Sequence, residues 1–263
     1  MTAPLLEVRD LAVHIGGLVA IAEMSFRVPE GQIVSLIGPN GAGKTTAFNV
    51  ITGYMRPTAG RVLFAGQDIT GLPPERIAAR GLVRSFQRTS VFTGCTVLEN
   101  ALMALHGTGR AGLLGALLRS PAQRREEARL RAEAQAMLDF VGLAQRADTP
   151  AEVLAYGEQR RLGIALAAIA GPRLLLLDEP AAGLNPSETQ EAMELILRLR
   201  ARGMTVLLVE HDMAMVMRMS DSIAVLNQGR IIATGAPAEI RHHPEVIRAY
   251  LGSGHWEAAH AAA

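Results

Sequence analysis

The stretch Gly38-Pro39-Asn40-Gly41-Ala42-Gly43-Lys44-Thr45 carries the spacing G-x-x-x-x-G-K-[ST]. Its glycines let successive backbone N–H groups turn inward toward phosphate oxygens, and the helix beginning there adds its positive end. Lys44 would reach the β- and γ-phosphates of a bound triphosphate. The Thr45 hydroxyl would ligate Mg²⁺, and Thr46 would contact the α-phosphate side. A second constellation is Leu174-Leu175-Leu176-Leu177 running into Asp178-Glu179. Neighbours on an extended strand point opposite ways, so the two carboxylates would divide the work. Asp178 would hold Mg²⁺ through water, and Glu179 would orient and deprotonate the water that attacks the γ-phosphate. The chemistry implied is Mg²⁺-dependent hydrolysis of a nucleoside triphosphate.

Such residues need rigid elements behind them. Ile33 to Ile37 is a short apolar strand running into the glycine-rich turn, and Thr45 to Thr52 reads as the helix that follows. Leu174 to Leu177 and Thr205 to Val209 are apolar runs of the kind that lie inside a parallel sheet covered on both faces, with Ser187 to Arg202 as a crossover helix. Ahead of them, Leu5 to Val28 alternates loosely around Gly16-Gly17, which predicts edge strands of an antiparallel sheet. Ala122 to Val141 places Leu130, Met137, Leu138 and Val141 at helical spacing, predicting a helical subdomain inserted into the sheet domain. Ile223 to Leu226 and Arg230 to Thr234 flank Asn227-Gln228-Gly229 as a hairpin. The fold class expected is α/β, a phosphate-loop parallel sheet with an N-terminal antiparallel subdomain and a helical insert. One domain would span 1–253, with a core of 1–87 and 162–240, an insert of about 88–161, and a flexible tail at 254–263.

Composition narrows the classes. The 263 residues are 49% hydrophobic and 19% charged, and Lys+Arg 26 against Asp+Glu 25 leaves a net charge of +1. That balance offers no basic stripe for nucleic acid. A single cysteine, Cys95, excludes an internal disulfide and is read as a small packed hydrophobe. Met1 to Asp10 lacks the basic-then-apolar pattern of a secretory signal, and Leu162 to Ala170 falls short of the roughly 20 apolar residues a membrane span requires. The chain is expected in the cytoplasm, reaching a membrane only through a partner. Met213, Met215, Met217 and Met219 read as core or interface packing, and His242-His243 as a solvated pair.

Leu154-Ala155-Tyr156-Gly157-Glu158-Gln159-Arg160-Arg161 precedes the paired carboxylates by about 20 residues, and His211 follows them at the end of the next strand. The order phosphate loop, Gln87, this segment, Asp178-Glu179, His211 resembles the ATP-binding cassette (ABC) proteins over nearly the whole chain. Gly53-Tyr54, Arg84-Ser85-Phe86-Gln87, Ala181-Ala182-Gly183-Leu184-Asn185, Val209-Glu210-His211-Asp212 and Val246 to Leu251 further resemble the LivG-type ATPases of branched-chain amino acid importers.

The resemblance implies P-loop NTPase (RecA-like) architecture and roles for further residues. Gln87 would sense Mg²⁺ and face the membrane subunit, His211 would hydrogen-bond the γ-phosphate, and Ala182 to Asn185 would cross to a partner ATPase. Ala155, Tyr156, Gly157 and Glu158 stand where the family has serine, glycine, glycine and glutamine. Presenting backbone N–H groups to the other subunit's γ-phosphate asks little of side chains there, although the missing serine hydroxyl removes one hydrogen bond. Ile15 occupies the place of the aromatic that stacks on adenine, with His14 beside it as an alternative, and an aliphatic contact lacks a ring's π surface. The cofactors implied are ATP and Mg²⁺. The partners implied are a second ABC ATPase (a LivF-like chain or a copy of itself), permease subunits and, indirectly, a periplasmic substrate-binding protein, at the cytoplasmic face of the inner membrane. Two rival classes remain: a soluble ABC clamp on nucleic acid, which would want a basic stripe, a coiled coil or a second cassette, and another phosphate-loop NTPase, which leaves Leu154 to Arg161 and His211 unexplained.

Overall fold

In the computed structural model the described residues are 3–85, 91–106 and 121–251. Ten strands form one sheet: β1 (Leu6–Ile15), β2 (Leu18–Val28), β3 (Ile33–Ile37), β4 (Ala59–Phe64), β5 (Gln67–Asp68), β6 (Leu82–Ser85), β7 (Leu174–Asp178), β8 (Thr205–Val209), β9 (Ser222–Asn227) and β10 (Arg230–Gly235). Their order is β5-β4-β1-β2-β10-β9-β3-β8-β7-β6. From β9 to β6 all neighbours run parallel, and the rest is antiparallel except for the single β2–β10 junction at Glu23 and Arg230.

The central strands β3, β7 and β8 are buried at every residue, as expected of a parallel sheet covered on both sides. Alternation then sorts their side chains. Leu174, Leu176 and Leu207 join β1, β2, β4 and helix α1 (Lys44–Ile51) in one core. Leu175, Leu177, Val206 and Leu208 face a second core built on helices. Those helices are α3 (Val97–His106), α4 (Pro121–Phe140), α5 (Tyr156–Ala168) and α6 (Pro186–Ala201), while the short α2 (Pro74–Ala78) precedes β6. Leu130 and Leu138 of α4 are buried as their spacing predicts, together with Val141 just beyond it. Thr96 caps α3 reciprocally with Glu99, and Asn185 caps α6 with Glu188, each pair satisfying two otherwise orphaned N–H groups.

A third core collects α7 (Met213–Met219), α8 (Pro237–Arg241) and α9 (Pro244–Leu251) over Ile37, Ile223 and Val225. Met213, Met215 and Met219 are buried, as a packing role requires. The β9–β10 hairpin turns through Gln228 and Gly229, both at positive φ (47° and 73°), which suits the right-handed twist of its strands.

One expectation is corrected. The β1–β2 pair does not form the edge of the sheet, because β4 and β5 pair outside β1. Backbone hydrogen bonds of β1 are thereby used on both sides, leaving the two-residue β5 as the short edge. Cys95 is half-buried and pairs in no disulfide.

Candidate nucleotide site

The phosphate loop leaves β3 at its C-terminal end and enters α1 at Lys44. It is squeezed between two strands. A Cβ on Gly43 would lie 2.7 Å from the Ala20 carbonyl oxygen of β2, and one on Gly38 would overlap the Leu226 carbonyl oxygen of β9. Gly43 also takes φ of 107°, a left-handed value that favours glycine. The β9–β10 turn fastens the loop further: Gly229 N–H donates to the Ala42 carbonyl at 3.0 Å, while its carbonyl accepts from Ala22 N–H at 3.0 Å. The loop crest, Asn40, Gly41 and Thr45, is exposed, Pro39 and Thr46 are half-buried, and Ala42 is buried.

Lys44 is 7% exposed. Its Nζ donates to the carbonyls of Gly38 at 2.6 Å and Pro39 at 3.0 Å, so the ammonium is held under the crest of its own loop. Burial pulls its pKa below the ordinary lysine value, and Glu179 and Asp178 offset part of that. Ammonium and carboxylates thus share one electrostatic neighbourhood.

Asp178 is the last residue of β7 and is 6% exposed. Its Oδ2 accepts from Arg84 Nη2 at 2.6 Å, and Arg84 Nη1 donates to Asn49 Oδ1 at 2.8 Å. A buried carboxylate survives this way because a cation and good hydrogen-bond geometry accompany it. Glu179 departs from the strand reading. Its φ of 49° is left-handed, its N–H donates to the Val209 carbonyl at 2.8 Å, and its carbonyl accepts from Ala182 N–H at 3.1 Å. A turn, rather than strand pleating, parts the two carboxylates.

Glu179 Oε1 lies 2.8 Å from His211 Nε2. Beside them Glu210 is buried, its carboxylate accepting from Ala181 N–H at 2.8 Å and His211 N–H at 3.0 Å. Burial pushes the Glu210 pKa up, and the backbone N–H groups of Ala181, His211 and Asp212 offset part of the rise. Glu210 thereby fixes the backbone on which His211 sits and the start of the 181–185 loop.

The segment 154–158 lies on a different element. Ala155 is extended ahead of α5 and offers no side-chain oxygen, so Glu158 Oε2 accepts the Ala155 N–H at 3.0 Å, with Arg146 Nε 3.4 Å from Oε1. Gly157 is buried, whereas Tyr156 is exposed. Ile15 is 49% exposed at the β1–β2 turn, opposite Leu18.

Comparison with known proteins decides what this arrangement belongs to. A family model described as ABC transporter matches residues 21–182, and one described as branched-chain amino acid ATP-binding cassette transporter matches residues 230–255. The chain belongs to the ABC transporter family. Within that family it is 49% identical to LivG of Salmonella typhimurium, a high-affinity branched-chain amino acid transport ATP-binding protein, over 96% of this chain and 99% of the relative. BraF of Pseudomonas aeruginosa, with the same description, is 48% identical over the same shares. A solved ATP-binding cassette of an ABC transporter in its ADP conformation superposes with a TM-score of 0.83 at 31% identity, covering 95% of this chain and all of that one. An ABC cassette of this kind is an ATP-binding subunit of a membrane transporter and an ATPase, on a P-loop NTPase fold.

Against that ABC frame, the fold brings together Gly38 to Thr46, Asp178, Glu179 and His211. It sets Ala155 to Glu158 apart on α5 and Ile15 on the hairpin turn, and Gln87 lies outside the described residues. Sequence reasoning missed three side chains that shape this ABC site: Arg84 on Asp178, Glu210 under His211, and Tyr250. Tyr250 is buried beside the phosphate loop, so burial raises its pKa and the Gly38 backbone N–H offsets part of the rise. Arg84, Glu210 and Tyr250 all stood inside segments quoted for the family resemblance, so the signal was present without a physical role attached.

Proposed function

We propose that this chain is the ATPase of an importer for branched-chain amino acids or related small polar solutes. Residues 1–253 would act as one nucleotide-binding domain that pairs with a second ABC ATPase. The observation that carries the enzymatic half is the 2.8 Å contact between Glu179 and His211 beside the buried Lys44. Support for the cargo comes from the names of the LivG and BraF relatives and from the matching C-terminal family model.

In this reading the glycine-rich loop and Lys44 hold the triphosphate, Glu179 serves as general base toward water, and His211 holds Glu179 and the γ-phosphate in line. Thr45 and Asp178 are hard oxygen donors of the kind Mg²⁺ takes, and the Arg84 contact marks Asp178 as a carboxylate built to face a cation. Mg²⁺ there would neutralise developing charge on the phosphates. Ala155 to Glu158 face the nucleotide of the partner ATPase, so ATP favours the closed pair and hydrolysis reopens it. Permease subunits follow that motion, with Gln87 near their docking face and a periplasmic binding protein delivering the solute. Among the described residues no helix is long and apolar enough to cross a membrane, so attachment to the cytoplasmic face would run through those subunits.

Purification of the tagged chain from its own host in mild detergent tests this directly. Integral membrane proteins, and ATP hydrolysis stimulated by a leucine-loaded binding protein, are the expected results. Co-purifying nucleic acid with no membrane protein would overturn the reading.

A further inference from the structure

Tyr156 stands at the first helical position of α5, where its ring reaches across to the loop that follows β7. Its hydroxyl is 3.0 Å from the Ala182 carbonyl oxygen and accepts from Arg160 Nη2 at 2.7 Å and Nε at 3.1 Å. Arg160 Nη2 also lies 3.4 Å from the same Ala182 carbonyl, and its guanidinium sits 5.2 Å from the Tyr156 ring centroid. Gly183 faces the ring so closely that a Cβ there would meet Tyr156 Cε1 at 3.2 Å. One residue before Ala182, Ala181 N–H donates to Glu210, whose other oxygen accepts from His211 N–H, and His211 in turn touches Glu179.

These contacts form one unbroken path from the start of α5 to the carboxylate and histidine of the nucleotide site. We propose that Tyr156 and Arg160 are positioning residues that tether the 181–185 loop to α5, so that the two half-sites carried by one chain shift together. The inference rests on the proposed pairing of two ATPases, in which Glu179 and His211 serve the chain's own ATP and the start of α5 serves the partner's. A phenol is suited to the task. It donates one hydrogen bond to a backbone carbonyl while accepting two charge-assisted ones, and its rigid ring spans the gap at the cost of only two rotatable bonds. Coupling between two sites requires a physical element that both of them bias, and the 181–185 loop is bonded to each.

Amide hydrogen exchange of the full-length protein, with and without MgATP and at a concentration where it sediments as a monomer, tests the tether. In the wild type, ATP is expected to slow exchange at 38–45 and also to change it at 156–160. Tyr156→Phe, which keeps the ring and loses the hydroxyl, is expected to keep the response at 38–45 and lose most of the response at 156–160. Arg160→Gln should weaken that distant response and Arg160→Lys should retain part of it, and these variants carry the test if Tyr156→Phe fails to fold. A merely structural role would raise basal exchange at 156–160 in the variants while leaving the ATP-induced difference intact, and that result overturns the tether. Absence of protection at 38–45 in the wild type would instead overturn the nucleotide reading, and the tether with it.

Discussion

Two helix starts in this molecule are each assigned a phosphate, and they are built in opposite ways. At α1 the backbone does the work: the loop is wedged between the Ala20 and Leu226 carbonyls, and a buried lysine is folded beneath it. At α5 the backbone N–H groups stand at an exposed helix end and are set by side chains, with Glu158 closing back on Ala155 and Tyr156 anchored to Ala182. The first arrangement is complete within one chain. The second offers N–H groups at a tip whose neighbouring cations are engaged within the chain, Arg146 by Glu158 and Arg160 by Tyr156, so it suits a phosphate already held by another subunit's lysine.

The comparison breaks first if catalysis does not depend on the α1 side. Glu179→Gln should lower ATP turnover by about 10²- to 10⁴-fold, the usual contribution of a general base, while nucleotide affinity stays near wild type. Steady-state hydrolysis alongside fluorescent-nucleotide titration separates the two, and wild-type turnover would remove Glu179 from its role. Lys44→Ala should weaken ATP binding by about 1.5–3 kcal/mol, the range for hydrogen bonds to charged groups. Unchanged affinity in that titration would mean that the loop grips phosphate without its ammonium.

A smaller effect sharpens the contrast. Glu158→Gln keeps an oxygen to accept the Ala155 N–H but removes a negative charge from the first turn of α5. ATP-driven association should therefore strengthen by about 0.3–1 kcal/mol, with single-chain ATP affinity unchanged. If single-chain affinity moved as well, α5 would be acting on the chain's own nucleotide.

The smallest effect concerns the bridge between the two starts. Burial raises the Glu210 pKa above the ordinary 4.5, so the folded state binds that proton more tightly than the unfolded one. Its stabilising contribution is full below pH 4.5 and is lost as pH rises through the raised folded value. Glu210→Gln should flatten the dependence of Tm on pH across that window, and thermal melts of both proteins at several pH values measure it. A parallel dependence in the two would show that Glu210 does not titrate there.

Much of the α1 side was legible in the sequence because its constraints are local. A strand, six loop residues and a helix start are consecutive, and glycine spacing carries the steric requirement. The buried leucines of β7 likewise announced a central strand. Other features depend on residues distant along the chain. Arg84 meets Asp178 across 94 positions, and Tyr156 meets Ala182 across 26, so neither partner was predictable from its own neighbourhood. The short β6 and the two-residue β5 lack any period to read, and the inner position of β1 follows only from the pairing of β4 beside it. The turn at Glu179 escaped notice because its left-handed backbone is imposed by the Val209 and Ala182 contacts, not by its residue type.

The central claim is that this chain and a second ABC ATPase, a LivF-like chain or a copy of itself, close over ATP, each lending the start of its own α5-type helix to the other's nucleotide. Sedimentation velocity of Glu179→Gln, alone and mixed with the second ATPase that co-purifies with it, in MgATP and in MgADP tests it most directly. The account predicts a dimer with ATP that falls apart when ADP replaces it, because only the γ-phosphate bridges the two faces. A protein that binds ATP yet stays monomeric at every concentration both alone and with that second ATPase, or that dimerises equally with ADP, would contradict it.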